Sequence, residues 1–308
     1  MYITRKIKKK WYKLLRATPY ISKKHFYRAF YKWHTGRELD LENPKLLNEK
    51  LTWLKMYLHD PLLTSMADKY KARDFVKSRI GEQYLNELYG VYRSPEDIDW
   101  EKLPNQFIAK ANHSCGRNKI VLDKSKVDRK DFNRYFKKYL KENYYERRGL
   151  EWVYKDIEPR LVIENLLVQP GYSDLIDYKF YCFNGKPEFI QVNQHIEGTY
   201  FKDFMTLDWK PTIFKHTHRE RTEHLPHRPE DLDKMIELAS QLTQGFPFVR
   251  CDLYNIEGKI IFGEFTFYPS DASRHFEPEE YNRIFGDKIQ LPEIPEGQDE
   301  ITDLGIRI

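Results

Sequence analysis

Phe248 to Ala272 reads FVRCDLYNIEGKIIFGEFTFYPSDA, two short strands joined by a turn at Glu257-Gly258. Side chains alternate faces along a strand, so Arg250 and Asp252 share one face of the first and Glu264 and Thr266 share one face of the second. Val249, Cys251, Leu253, Ile261, Phe265 and Phe267 are left to fill the other face. Two carboxylates thus sit on rigid, partly apolar strands, within a turn's reach of each other. Such a pair cannot stay charged and unpaired away from water; it needs a cation or a shared proton. Magnesium held by one or two carboxylates plus substrate phosphates meets that need. Cross-strand pairing with Arg250 and Lys259 meets it equally well.

Upstream, QFIAKANHSCGRNKIVL (106–122) sets a polar loop between two strands. Asn112, His113, Ser114, Cys115, Gly116, Arg117 and Asn118 form the loop, and Lys110 closes the strand before it. A glycine-containing loop of small polar residues can turn its amides toward phosphate oxygens, and a lysine adds a point charge. The spacing is not that of a Walker loop, and an ordinary hairpin loop fits the segment too. Next, RLVIENLL (160–167) is an apolar strand interrupted by Glu164-Asn165, whose backbone suits an adenine edge. In DYKFYCFNGKPEFIQV (177–192), Asp177 and Lys179 share a strand face, and Asn184-Gly185 signals a hairpin. Asp177 is placed to accept from ribose hydroxyls, or to form a surface ion pair with Lys179. His216, His218, His224 and His227 crowd one segment, but their spacing matches no zinc pattern and an exposed loop is expected there; His195 and His275 stand alone.

The remaining pattern is mixed. Strands are expected at 88–92, 106–110, 119–122, 161–167, 178–183 and 188–193, and helices at 62–80, 129–146 and 229–244, giving an α+β architecture with at least two sheets. The 308 residues are 40% hydrophobic and 32% charged, enough for a sizeable core in a soluble protein. No apolar run is long enough to span a membrane, no apolar signal core opens the chain, and the three cysteines are too far apart for a CxxC pair, all of which fits a reducing cytoplasm. The net charge of +5 hides an asymmetry: residues 1–37 hold twelve Lys or Arg and no acid, leaving 40 basic and 47 acidic residues in the rest. Ile7, Trp11, Leu14 and Leu15, then Phe26, Phe30 and Trp33, recur at helical spacing among these cations. That arm reads as docking on an anionic membrane surface or a polyanion, or else as a helix packing its aromatics on the body. No recognised motif supports nucleic acid.

Six segments in this order and spacing resemble the ATP-grasp enzymes, and more narrowly the TupA-like ATP-grasp family of bacterial surface-polysaccharide and teichuronopeptide biosynthesis. They are LLNEKLTWLKMY, MADKYKARDFV, LPNQFIAKANHSCG, RLVIENLL, DYKFYCFNGKPEFIQV and the hairpin quoted first. The resemblance implies two α+β lobes clamping ATP, which phosphorylates a carboxylate for attack by an amine. On that pattern Lys69 and Lys110 contact ATP phosphates, and Asn112, His113, Ser114, Gly116 and Arg117 belong to the mobile loop over them. Glu164, Asn165 and Leu166 form the adenine hinge, with Asp177 near the ribose. Lys179 and Arg250 are the catalytic cations; Asp252, Glu264 and Thr266 hold Mg²⁺. Thr266 stands where ATP-grasp enzymes usually place Asn, in keeping with the TupA-like branch. Ser270, Ser273 and Arg274 are the candidate acceptor contacts.

The implied organisation is a basic helical arm (1–45), a helical N-terminal part of the ATP-grasp unit (46–104), a lobe with the phosphate loop (105–166), a lobe with the magnesium site (167–292) and a C-terminal tail (293–308). The implied reaction joins an amino acid or other amine to a uronic acid of a cell-surface polysaccharide or its lipid-linked precursor, at the inner face of the membrane. A capsule glycosyltransferase and a non-catalytic ATP-grasp-like binding protein are the competing readings. A glycosyltransferase would draw on the DxD pairs Asp97/Asp99 or Asp231/Asp233.

Overall fold

The computed structural model describes residues 22–147, 149–217, 222 and 225–307. Expectations for Ile7, Trp11, Leu14, Leu15, His218 and His224 fall outside them.

The described chain begins with four helices. Helix α1 (Lys23–Thr35) is capped by the Ser22 hydroxyl, which accepts from the His25 amide, and stops at Gly36 in the left-handed region. Its Phe26, Tyr27, Phe30 and Tyr31 are buried against the body, while Lys24 and Arg28 pair with Glu42 and Arg37 with Glu279. In this part of the basic arm Phe26 and Phe30 pack on the body, while Trp33 is 40% exposed. Helix α2 (Leu47–Tyr57) starts where Glu49 accepts from the Lys45 and Leu46 amides. The single helix expected over 62–80 is two: α3 (Pro61–Ala67) and α4 (Ala72–Ile80). Asp68 breaks it, because its carboxylate accepts from the Tyr70 amide and closes a local turn.

Strands β1 (Leu88–Tyr92), β2 (Phe107–Ala111), β3 (Asn118–Val121) and β4 (Leu161–Glu164) make an antiparallel sheet in the order β1-β4-β2-β3. Helix α5 (Arg129–Leu140), shorter than expected, buries Phe132 and Phe136 against Trp100 and Phe107 on one face of that sheet. The second sheet is built from β5 (Asp177–Phe183), β6 (Lys186–Ile196) and β7 (Thr199–Met205). After β8 (Lys215–His216) come helix α6 (Leu232–Thr243) and the hairpin β9 (Phe248–Ile256) and β10 (Lys259–Thr266). The order is β10-β9-β5-β6-β7, antiparallel throughout. Asp177 and Lys179 point to one face; Tyr178, Phe180, Cys251 and Leu253 point to the other, into the core that α6 covers with Leu232, Met235, Leu238 and Leu242.

Three strands and one helix were not expected. Strand β7 and β8 occupy what reads in sequence as a loop from Asn193 to Pro229. Helix α7 (Glu280–Lys288) follows β11 (Phe276–Glu277), which pairs with β8. Phe189, Phe204, Phe214, Phe276 and Phe285 meet there and close one end of the second sheet. The C-terminal tail is bonded rather than loose. Ile301 exchanges backbone hydrogen bonds with Tyr57 and His59, and the Leu304 amide donates to Asp60.

Helix α7 lies so close to the start of α2 that a Cβ at Gly286 would meet the Lys45 carbonyl oxygen at 2.0 Å and the Leu47 nitrogen at 2.9 Å. Alanine gains about 1 kcal/mol of helix propensity over glycine. Here the backbone neighbours cannot move aside as a side chain would. Gly286→Ala therefore destabilises by ~1–3 kcal/mol net, the usual range for overpacking; a stabilised variant in urea denaturation would contradict this packing.

Candidate active site

A cleft of about 1050 Å³ runs between the two sheets, and it is walled by β2, β3, β4 and the loop after β2 on one side and by β5, β6, β9 and β10 on the other. Its floor depends on the register of the β9–β10 hairpin. Glu257 and Gly258 both have positive φ (50° and 81°), forming a two-residue turn that pairs Ile256 with Lys259. Counted regularly from that turn, Gly263 would oppose Asp252 and Glu264 would fall on the other face. A bulge at Gly263 adds one residue, so that Glu264 opposes Asp252 and Thr266 opposes Arg250. Glycine suits the bulge, since a Cβ there would lie 3.0 Å from the Asp252 carbonyl oxygen.

Asp252 is 2% exposed. Its carboxylate accepts two hydrogen bonds from the Arg250 guanidinium (both 2.7 Å) and one from Lys179 Nζ (2.6 Å). Arg250 also donates to Thr266 Oγ1 (2.9 Å) and lies 3.6 Å from Glu264, while Lys179 lies 3.2 Å from Asp177. Burial alone would push the Asp252 carboxyl up, but the two cations outweigh it and hold it below the usual carboxylate range. Burial works against the Lys179 ammonium and the Arg250 guanidinium, and Asp252 more than offsets it, raising both. Glu264 is the more open acid, with its side chain 38% exposed.

On the opposite wall Glu164 is the anion. Lys110 Nζ donates to it at 2.8 Å and Arg73 Nη1 at 3.0 Å. Lys69 Nζ donates to the Ser114 carbonyl (2.6 Å), tying the α3–α4 turn to the loop after β2. Gly116 in that loop has a φ of 68° and open space around it. Arg117 stacks on Tyr139 at 3.9 Å. Asn165 continues the β4 wall; its amide donates to the Glu87 carbonyl and its own carbonyl accepts from Asn86.

Most of the expected residues come together. Lys69, Lys110, Ser114, Gly116 and Arg117 line the cleft with Glu164, Asn165 and Leu166, facing Asp177, Lys179, Asp252 and Glu264. Arg250 and Thr266 lie behind Asp252 rather than on the wall. Asn112 and His113 are corrected from loop contacts to buried joints. The Asn112 amide bonds Asp68 and the Glu158 carbonyl, its oxygen accepts from the Arg160 amide, and His113 bonds the Glu142 carbonyl. These partners lie 29 to 48 residues away in sequence, beyond the reach of a local reading. Ser270, Ser273 and Arg274 are not on the cleft wall either. Ser270, Asp271 and Ala272 are three successive residues at positive φ (54°, 59°, 56°), a strained turn to which fully buried Lys55 donates at the Asp271 carbonyl (3.2 Å). The cleft also holds Arg73, Asn193 and Tyr254, which the sequence did not single out, and His195, expected to stand alone but lying 3.2 Å from Asp174.

Among the described residues no three His, Cys, Asp or Glu side chains form a self-sufficient metal site. Asp252 and Glu264 are opposed across β9 and β10 and both line the cleft; one or two carboxylates completed by phosphate oxygens and water is the other mode in which Mg²⁺ is held.

The double grip on Asp252 has a measurable consequence. Asp252→Asn leaves two buried cations uncompensated and costs about 3 kcal/mol or more of stability, read by urea denaturation at pH 7. Because the Asp252 pKa is depressed in the folded protein, its contribution is complete above the unfolded value and is lost as pH falls through the folded one. The gap between wild type and variant stays constant from pH 7 to 5 and narrows only below about pH 4; narrowing already at pH 5 would show that the cations do not hold the carboxylate.

A family model described as TupA-like ATPgrasp matches residues 49–290. No curated protein matches the sequence. Among solved structures, D-alanine–D-alanine ligase from Helicobacter pylori is 11% identical with a TM-score of 0.43, the match covering 82% of this chain and 68% of that one. D-Alanine–D-alanine ligase from Bacillus anthracis complexed with ATP is 13% identical with a TM-score of 0.39, covering 67% and 55%. Phosphoribosylamine–glycine ligase from Thermotoga maritima is 14% identical with a TM-score of 0.38, covering 68% and 50%. The chain thus spans about half the length of the latter two ligases. With its cleft, its hairpin and the loop after β2 all inside the matched residues, the chain belongs to the TupA-like ATP-grasp family.

Proposed function

We propose that this protein is an ATP- and Mg²⁺-dependent ligase that forms an amide through an acyl phosphate. The observation that supports this most is the opposed Asp252/Glu264 pair at the floor of a cleft whose other wall carries Lys110 and a glycine loop. In such a reaction a carboxylate oxygen of the acceptor attacks the γ-phosphorus of ATP, and the bond to the β-phosphate oxygen breaks, releasing ADP. An amine then attacks the acyl carbon, phosphate leaves, and the amine gives up a proton. Bound Mg²⁺ would neutralise phosphate charge between Asp252 and Glu264. Phosphoryl transfer asks the protein chiefly for positioning and positive charge. Lys69, Lys110 and the 114–117 loop amides would hold the phosphates from one wall and Lys179 from the other. Arg250 keeps Asp252 ionised and aimed. Leu166, beside Asn165, would face the adenine, and Asp177 the ribose.

The finer assignment is a uronic acid of a surface polysaccharide or its lipid-linked precursor as carboxylate, with an amino acid or another amine as nucleophile. The resemblance to polysaccharide-associated ATP-grasp proteins supports it. Its chemistry belongs at the inner membrane surface, where residues 1–21, with seven cations and no acid, would dock on anionic lipid. No described helix is long and apolar enough to cross a membrane. The glycosyltransferase reading is weakened, because none of the four DxD acids lines the cleft. Asp97 accepts from the Ser94 amide, Asp99 pairs with Lys102 and Asp233 with Arg228.

ATP with Mg²⁺ raises the unfolding temperature of the wild type, and Lys110→Ala removes most of that shift. With acceptor and amine present, Glu264→Gln lowers ADP release by about 10²-fold. No shift in the wild type would sink the ATP site; a shift with no ADP release across a panel of uronic acids and amines would leave a binding protein instead. For the arm, a chain starting at Ser22 loses the affinity for anionic vesicles that the full chain shows; equal binding by both would contradict its role.

A further inference from the structure

Arg73 lies in the cleft wall and no role has been attached to it so far. It reaches Glu164 from the side opposite Lys110. Its Nη1 donates to Glu164 Oε1 at 3.0 Å and its Nη2 to the Asn86 carbonyl at 2.8 Å, while Lys110 holds Glu164 Oε2 at 2.8 Å. Glu164 is 8% exposed, too enclosed to stand as an unpaired anion. Asn86 in turn bonds the Asn165 carbonyl at 2.8 Å, so Arg73 is anchored to the strand exit on which Glu164 sits.

The geometry sets a competition. Lys110 can serve a phosphate only by giving up, in whole or part, the short ion pair with Glu164. If Lys110 were the sole partner, leaving would strand a buried carboxylate, and the lysine would stay. Arg73 changes the balance because its charge remains on Glu164 whichever way Lys110 points. Its planar fork bonds Glu164 and Asn86 together, and that grip does not depend on the nucleotide. The second wall repeats the arrangement, with Asp252 shared between Arg250 and Lys179. In each wall one arginine and one lysine share one carboxylate, and in the first the lysine is the more exposed cation, 27% against 17% for Arg73.

We infer that Arg73 is a positioning residue for nucleotide binding: it keeps Glu164 neutralised so that Lys110 is released to the phosphates of ATP. This rests on the ATP site proposed above. Mg²⁺–ATP affinity is measured by titration calorimetry for the wild type, Arg73→Met, Glu164→Gln and the double variant, with thermal unfolding followed on each. Arg73→Met weakens ATP by ~10-fold or more, the worth of one hydrogen bond to a charged group. Adding Glu164→Gln to Arg73→Met recovers affinity over the single variant, because a neutral amide no longer retains Lys110. A residue that merely supported the fold would give the opposite, a double variant weaker than either single. If Arg73→Met does not fold, Arg73→Gln, which can still donate to the Asn86 carbonyl, is compared in its place with the same expected order. Unchanged affinity in the Arg73 variant, or a double variant weaker than it, overturns the role of Arg73 while leaving the ATP site standing. No binding by the wild type removes the site itself and this role with it.

Discussion

The site depends on one buried carboxylate. Asp252 can remain ionised at 2% exposure only because Arg250 and Lys179 meet it from two strands, β9 itself and its neighbour β5. That requirement fixes much of the sheet around it. The strands must register so that Lys179 opposes Asp252, and β10 must carry the Gly263 bulge that turns Glu264 onto the same face. Thr266 then falls opposite Arg250 and accepts the second N–H of its Nη2. Its hydroxyl steadies the guanidinium behind Asp252, which gives the residue a part to play whether or not it also reaches a metal.

The cations of the cleft already hold protein partners. Lys179 and Arg250 rest on Asp252, Lys110 and Arg73 on Glu164, and Lys69 on a loop carbonyl. A polyphosphate entering such a cleft has to exchange partners with these cations. Exchange among charges already desolvated demands little reorganisation, which is what a site for transferring a phosphoryl group needs. The Lys69 contact also couples the turn between α3 and α4 to the 114–117 loop, so the helical region and that loop are mechanically joined.

Much of this was readable in sequence, and the misses have physical reasons. The alternation around Asp252 and Lys179, the Glu257-Gly258 turn and the Glu164-Asn165 strand exit all survive in the structure, because each is a local property of backbone and period. The placing of Glu264 was less secure than it looked. A regular hairpin would have turned it to the far face, and only a glycine within a strand hinted at the bulge. Arg73 was hidden because Asp68 breaks the expected helix and resets the faces of α4. Asn112 and His113 looked like loop contacts until distant partners, Asp68, Glu158 and Glu142, turned them inward. Strand β7 was missed as part of a long polar stretch, and α7 because glycine at its contact with α2 is required by packing, against its own propensity.

The most direct test of the account is a crystal structure with a non-hydrolysable ATP analogue and Mg²⁺. The account predicts the analogue between the two sheets, its adenine against Asn165 and Leu166 and its metal between Asp252, Glu264 and the phosphates, with Lys110 drawn from Glu164 toward the nucleotide. An analogue bound elsewhere, or phosphates in the cleft with the metal away from Asp252 and Glu264, would contradict it.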